Sequence, residues 1–120
     1  MTSKEKTDLI CKILSDKKAN SIVYLYVEEK TSLCDYFIIA GGRSKTQVQS
    51  LAENLEEKLK KEYNLVPQRV EGVQGGRWAV LDYSDVIVHL FGDEERDFYR
   101  LERLWEDGAN LIRYEDSIIF

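Results

Sequence analysis

The sequence predicts a single α/β domain with a mixed β-sheet of about five strands and helices packed on it, in the order α-β-β-α-β-β-β-α. Three segments repeat apolar residues at spacings of three and four, the period of a helix with one buried side. Five other segments are short and rich in β-branched and aromatic residues, as strands are. We assign residues 1–107 to one domain, and residues 108–120 to a tail that is loosely attached or forms a short added strand.

The first helix and the first two strands lie in the N-terminal third. A helix is predicted from Thr2 to about Lys18 because its apolar residues form one stripe: Leu9, Ile10, Ile13 and Leu14. Ile22–Glu28 is a strand by composition and length. Tyr36–Ala40 is nearly continuous in apolar character, as expected of an inner strand that is covered on both faces. The connection is too short for a crossover, so we expect these strands to be antiparallel neighbours.

The second helix follows a pair of glycines. Gly41 and Gly42 are predicted to turn the chain, and Ser44 with Gln47 three residues later is the capping-box pattern of a helix start. The helix is predicted to end near Asn64. Its apolar period places four residues in the core: Val48, Leu51, Leu55 and Leu59.

Three strands are predicted after this helix. Val66–Val70 is short, with the lone proline near its start, where a missing N–H is tolerated. Arg77–Leu81 and Val86–Phe91 form a hairpin across a turn of residues that hydrogen-bond their own backbone. Alternation along the first arm places Trp78, Val80 and Asp82 on one face, and Ala79 and Leu81 on the other.

The last predicted helix begins at Asp93, where three consecutive carboxylates suit the positive end of the helix dipole. It is expected to continue to Trp105. Its inner face is expected to contain Phe98, Leu101 and Trp105, with Leu104 beside them.

Composition excludes several classes of function. The net charge of −5 and the pI near 5.0 disfavour a protein that grips nucleic acid and favour a basic partner. No apolar run approaches the roughly 18 residues of a membrane span, and the N-terminus has no secretory signal, so we expect a cytoplasmic protein. Cys11 and Cys34 are far apart and outside any C-x-x-C pair, so we expect reduced, buried thiols and no metal site.

Two groups of residues are candidates for an enzyme site, and for each of them the sequence favours a structural role. The turn at residues 41–44 resembles the opening of a nucleotidyltransferase site, but no following strand carries the paired carboxylates that hold divalent metal ions. Asp82 and Asp85 could share a metal ion with His89, yet turn aspartates mostly bind backbone, and His89 is expected to be a hydrogen-bonded histidine on a sheet face. The competing function is a nucleotide- or metal-dependent transferase that uses Gly41, Gly42, Asp82 and Asp85.

Five blocks together form a specific pattern that covers nearly the whole domain: Cys34–Gly41 (CDYFIIAG), Arg69–Gly72 (RVEG), Gly76–Trp78 (GRW), Leu81–Phe91 (LDYSDVIVHLF) and Arg96–Trp105 (RDFYRLERLW). In these blocks the chain resembles the ribosomal silencing factor family, also called RsfS or Iojap-like proteins. The departures are small. Gly42-Arg43-Ser44 replaces residues like Ser-Gly-Thr-Ser, and Ser84 stands where glycine is common, so Ser84 must accept the turn geometry that glycine would ease.

The resemblance implies a nucleotidyltransferase-like fold that has lost catalysis, with no catalytic residue, cofactor or metal. It also implies binding to ribosomal protein L-fourteen on the large subunit, at the face that meets the small subunit. Occupying that face would block subunit joining and lower translation when nutrients are scarce. The same position allows a minor contact with ribosomal RNA, and family members are seen as dimers, so we expect a homodimer when the protein is free.

Tryptophan, tyrosine and arginine, the side chains enriched in interface hot spots, crowd into one third of the chain, between Arg77 and Trp105. Core packing explains some of these aromatic residues equally well, and for Trp78 and Tyr83 core and interface stay open. Together with the resemblance, this composition predicts a docking surface centred on four exposed hairpin residues: Trp78, Val80, Asp82 and Tyr83. Its border is expected to contain Tyr99, Arg96, Arg100 and Arg103.

Overall fold

The structure, a computed structural model, describes residues 1–114, apart from the side chain of Phe98. The predictions for the Phe98 side chain and for residues 115–120 therefore lie outside the described residues. Within them, no helix is both long and apolar enough to cross a bilayer. The elements are α1 Ser3–Asp16, β1 Asn20–Tyr26, β2 Tyr36–Gly42, α2 Lys45–Tyr63, β3 Arg69–Glu71, β4 Trp78–Asp82, β5 Val86–Gly92, α3 Asp93–Tyr99, α4 Glu102–Trp105 and β6 Leu111–Arg113.

The sheet is mixed, as predicted, with the strand order β3-β4-β5-β2-β1-β6. Strands β2 and β5 run parallel at its centre, where Ile39 lies opposite His89. This pair can be parallel because the connection between the two strands includes α2 and is long enough for a crossover. Every other neighbouring pair is antiparallel, including the predicted pair of β1 and β2.

Both edge strands are short, and they account for the differences from prediction. Strand β3 begins at Arg69, later than the expected Val66, because Pro67 has no N–H to give to a strand ladder. The sheet has six strands and not about five, since residues 111–113 of the tail form β6. Strand β6 pairs with β1 and places Leu111 opposite Leu25. Residues 111–113 of the tail thus form the short added strand that was one of its two predicted states.

The two glycines before α2 do not form the predicted turn. Gly41 and Gly42 are the last residues of β2, and neither has a positive φ. Glycine is needed there because neighbouring elements approach closely. A Cβ atom at Gly42 would lie 2.9 Å from Cγ2 of Val48 in the first turns of α2.

Side chains cap the starts of both long helices. Thr2 and Glu5 form a complete capping box at α1, with hydrogen bonds of 3.1 and 2.8 Å. At α2, the Ser44 hydroxyl accepts from the Gln47 N–H at 3.0 Å, as predicted. The Gln47 carbonyl oxygen accepts from the N–H of Arg43 at 2.6 Å and not from Ser44, so the predicted box is only half formed.

The predicted C-terminal helix is interrupted at Arg100. This residue adopts the left-handed conformation, with φ 46° and ψ 51°, and ends α3. After the break, Leu101 and Trp105 pack on the sheet as predicted. Leu104, which was expected beside them, is 75% exposed. Arginine is a good helix former, so the sequence gives no signal of this break.

Apolar side chains fill both sides of the sheet. Helices α1 and α2 cover one side, which we call the helix face, and the predicted stripe of α2 is fully buried against it. On the opposite side, which we call the open face, α3 packs on β5 and β2, and the open-face residues of β3 and β4 are exposed or only partly covered. Cys11 and Cys34 are buried, one on each side, and burial raises the pKa of both thiols to about 12.

Candidate docking surface

Strand β4 separates the two faces residue by residue, as the alternation predicted. Ala79 and Leu81 are fully buried on the helix face. Trp78, Val80 and Asp82 point to the open face and are only partly buried. Three of the four residues predicted at the centre of the docking surface therefore lie side by side.

Strand β3 extends this surface to the edge of the sheet. Arg69 lies opposite Asp82, and Glu71 lies opposite Val80, so both share the open face. Both are exposed, and their side chains form an ion pair of 3.2 Å. The sequence prediction omitted these two residues, because only the register between β3 and β4 shows that they flank the hairpin.

A histidine holds Trp78 in place. The indole N–H of Trp78 donates to Nδ1 of His89 at 3.1 Å. His89 is 9% exposed, and burial lowers its pKa from 6.5 to about 4, which keeps the ring neutral and Nδ1 free to accept. The rings of Phe91 and Tyr99 lie 4.8 and 5.0 Å from the Trp78 ring. His89 is thus the hydrogen-bonded histidine on a sheet face that was predicted.

Tyr83 is not exposed on the hairpin, contrary to the prediction. It follows Asp82 by one residue, so its side chain points to the helix face, where it is 3% exposed within the core. Burial raises the pKa of its hydroxyl above the ordinary value of 10. Among the described residues, no group forms a hydrogen bond with that hydroxyl. Tyr83 therefore belongs to the fold and is not available to a partner.

Of the residues predicted at the border of the surface, Tyr99 at the end of α3 is in ring contact with Trp78. Tyr99, Arg100 and Arg103 are exposed, as the docking hypothesis requires. Arg96 is not available, because its guanidinium lies 3.5 Å from the Glu102 carboxylate and the two side chains are only 12% and 24% exposed. This ion pair joins α3 to α4 across the break at Arg100, so Arg96 supports the border from inside. Leu104 adds an exposed apolar residue that the sequence prediction placed on the inner face.

The residues of the competing enzyme do not form a site. Oδ1 of Asp82 accepts from the backbone N–H of Ser84 at 2.8 Å and shapes the turn, as predicted. Asp85 instead forms an ion pair of 2.6 Å with Lys6 on α1. Over residues 1–114, no three His, Cys, Asp or Glu side chains are grouped so that they could hold a metal ion.

Known proteins match this chain over almost its whole length. The profile of the family described as "Ribosomal silencing factor during starvation" matches residues 1–118. The chain belongs to the RsfS family. This description is that of a regulatory protein and not of an enzyme, and it agrees with the family predicted from the sequence blocks.

Individual relatives support the assignment to the RsfS family. The ribosomal silencing factor RsfS of Halalkalibacterium halodurans is 37% identical over 111 residues, which span 92% of this chain and 94% of the relative. RsfS of Bacillus subtilis is 35% identical, with 90% and 91% of the two chains covered. A crystal structure of a protein from Chromobacterium violaceum is similar with a TM-score of 0.84, at 34% identity and 92% coverage of both chains. The predicted α/β fold is thereby confirmed.

Proposed function

We propose that this member of the RsfS family binds the large ribosomal subunit through ribosomal protein L-fourteen and thereby blocks association with the small subunit. The mechanism is steric occlusion in the cytoplasm, in which no covalent bond is made or broken. Translation falls under nutrient limitation because occupied large subunits cannot join small ones.

The open face carries this proposal. Trp78 lies partly buried beside Val80 and Asp82, and Tyr99, exposed at the end of α3, contacts the Trp78 ring. Tryptophan, tyrosine and arginine dominate interface hot spots. Because His89 already fixes the indole ring, little side-chain entropy is lost when a partner covers Trp78.

Charge supports a protein partner over an RNA partner. The chain carries a net charge of −5, which attracts a basic ribosomal protein and repels the phosphate backbone of ribosomal RNA. We therefore assign most of the contact to L-fourteen and only a minor contact to RNA. Weaker binding at higher salt is expected for such a charged pair.

Co-sedimentation with separated ribosomal subunits tests the proposal directly. We expect the chain to pellet with large subunits and not with small subunits. Large subunits loaded with the chain should then fail to form whole ribosomes when small subunits and Mg²⁺ are added. Equal pelleting with both subunits, or normal joining of loaded large subunits, would refute the proposed function.

Trp78→Ala tests the location of the surface. Loss of one hot spot costs about 2 kcal/mol, so affinity for large subunits should fall roughly 30-fold. Tyr63→Ala is the matched control, because it removes another exposed aromatic ring at the end of α2, far from the open face. If the folded Trp78→Ala variant binds as tightly as wild type, the docking surface lies elsewhere.

We further propose that the open face pairs two copies of the chain when no ribosome is present. Light scattering over a range of concentrations should then show a mass that rises from one chain to two. Trp78→Ala should shift this transition to higher concentrations. A mass that stays at one chain throughout would remove the homodimer.

A further inference from the structure

A cavity of about 370 Å³ opens beside Trp78, between the start of β4 and helix α3. Its walls consist of Arg77, Trp78, Glu94, Glu95 and Tyr99. We propose that this cavity receives one arginine or lysine side chain of the protein partner. The proposal rests on the docking function above and specifies the chemistry of the partner at one point of that surface.

Two aromatic rings form one wall of the cavity. The ring centroids of Trp78 and Tyr99 are 5.0 Å apart, and the ring planes are inclined by 45°. Cations bind over the faces of such rings within about 6 Å of the centroid. The Trp78 ring is held before any partner arrives, by its hydrogen bond to His89 and its contact with Phe91. The Trp78 ring therefore loses little side-chain entropy when a partner covers it.

Two carboxylates complete the cavity. Glu94 and Glu95 belong to the first turn of α3, where the helix dipole favours negative charge. A Cβ atom at Gly92, at the end of β5, would lie 2.5 Å from Oε1 of Glu95, so the absence of a side chain at Gly92 leaves room for this carboxylate. In the described part of the chain, neither carboxylate forms an ion pair, and Arg77 pairs with neither of them. Among the lining residues of the cavity two carboxylates face one cation, Arg77, and the adjoining groove that shares these three residues adds Asp93, Arg43 and Lys45.

The combination of rings and carboxylates selects the occupant. An apolar side chain would cover Glu94 and Glu95 without compensating their charge, which is costly. An anionic side chain would be repelled by both. An arginine or lysine side chain packs its stem on the rings and places its charge beside the carboxylates. A cavity of this volume has room for one such side chain.

A pair of matched double variants tests the charge requirement. Glu94→Gln with Glu95→Gln removes the two charges of the cavity but keeps the side-chain shapes. Glu53→Gln with Glu56→Gln removes the same charge from α2, on the other side of the sheet, and neither of these residues forms an ion pair within the described residues. We expect the first pair to weaken binding to large subunits about tenfold, and the second pair to change it by less than about twofold.

The outcomes distinguish the cavity from the docking surface as a whole. Equal losses in the two double variants would show a general effect of net charge and overturn the proposal. If the Glu94 and Glu95 variant binds large subunits as tightly as wild type while Trp78→Ala weakens binding, the proposed role of the cavity is overturned and the docking function stands. Loss in the cavity variant alone supports the proposal.

A small-molecule probe tests the cavity without the ribosome. We expect N-acetyl-arginine methylamide, titrated up to its solubility limit, to shift the NMR signal of the Trp78 indole N–H. The Trp105 indole, which packs against Phe37, serves as the internal control. The citrulline analogue has the same shape without the charge and should cause no shift, and Glu94→Gln with Glu95→Gln should abolish the shift. No response to the arginine probe, or an equal response to citrulline, overturns the proposal even if the chain binds large subunits.

Discussion

The two faces of the sheet are built from alternate residues of the same strands, yet they serve different purposes. On the helix face, Ala79, Leu81 and Leu90 are fully buried under α1 and α2. On the open face, Trp78 and Val80 are only partly covered, and charged residues of β3 flank them. Whether a residue of β4 has an odd or an even number therefore decides its role. Odd positions hold the fold together, and even positions are available to a partner.

Neighbouring substitutions in β4 should separate the two roles most strongly. Leu81→Ala should lower the free energy of unfolding by about 3 kcal/mol, because it leaves a cavity in the packed core. Val80→Ala should lower it by only about 1 kcal/mol, since Val80 is partly exposed in the folded state. Urea unfolding followed by circular dichroism measures both values.

The two substitutions should affect binding to large subunits in the opposite order. Val80→Ala should weaken binding, whereas the folded fraction of Leu81→Ala should bind like wild type. A Leu81→Ala variant that is folded but cannot bind would mean that the two faces are coupled, and that parity does not separate their roles.

His89 makes the open face sensitive to acid. Above pH 6.5 its ring is neutral in the folded and the unfolded chain. As the pH falls from 6.5 to about 4, the unfolded chain takes up a proton that the folded chain resists, so stability falls, and below about 4 the loss is complete. Between pH 7 and pH 5 this loss should reach about 2 kcal/mol.

The His89→Asn variant isolates this contribution from that of the carboxylates. Its amide oxygen can still accept from the Trp78 indole N–H, but it does not titrate. The free energy of unfolding of wild type and variant, measured from pH 7 to pH 5, should therefore diverge towards acid, with the wild type losing more. If the free energies of unfolding of wild type and variant fell in parallel with pH, His89 would not be a buried neutral histidine.

The sequence predicts the regular features of the two faces and misses the irregular ones. Alternation assigned residues 78–82 to the correct faces, and the apolar period assigned the buried stripe of α2, because both follow from regular backbone geometry. Tyr83 lies in a turn of polar residues, so the sequence predicts an exposed side chain. In the structure the alternation of β4 continues to Tyr83 and buries its ring on the helix face. The break at Arg100 and the pairing of Arg96 with Glu102 depend on tertiary contacts that no local pattern encodes.

Tyr83→Phe tests the corrected assignment of Tyr83 to the helix face. Its hydroxyl is buried and, among residues 1–114, has no hydrogen-bond partner, so removing it should raise the free energy of unfolding by up to about 1 kcal/mol. Binding to large subunits should stay unchanged, in contrast to Trp78→Ala. Thermal unfolding and co-sedimentation measure the two effects, and weaker binding by Tyr83→Phe would return Tyr83 to the docking surface.

The smallest effect is expected at Ser84, in the turn where the chain passes from the open-face residue Asp82 to the buried Val86. Ser84 has φ 75°, a left-handed conformation that glycine adopts freely. Ser84→Gly should relieve about 1 kcal/mol of backbone strain. It also loses the hydrogen bond from Gln68 at 2.7 Å, and glycine gives the unfolded chain more conformational entropy, which lowers stability. The lost bond and the added entropy offset about as much as the strain relief contributes, so the free energy of unfolding should change by less than about 0.5 kcal/mol. Ser84→Ala loses the same hydrogen bond and keeps the strain, so it should be less stable than wild type. If the glycine variant were instead less stable than the alanine variant, the greater freedom of glycine in the unfolded chain would outweigh the strain at this position.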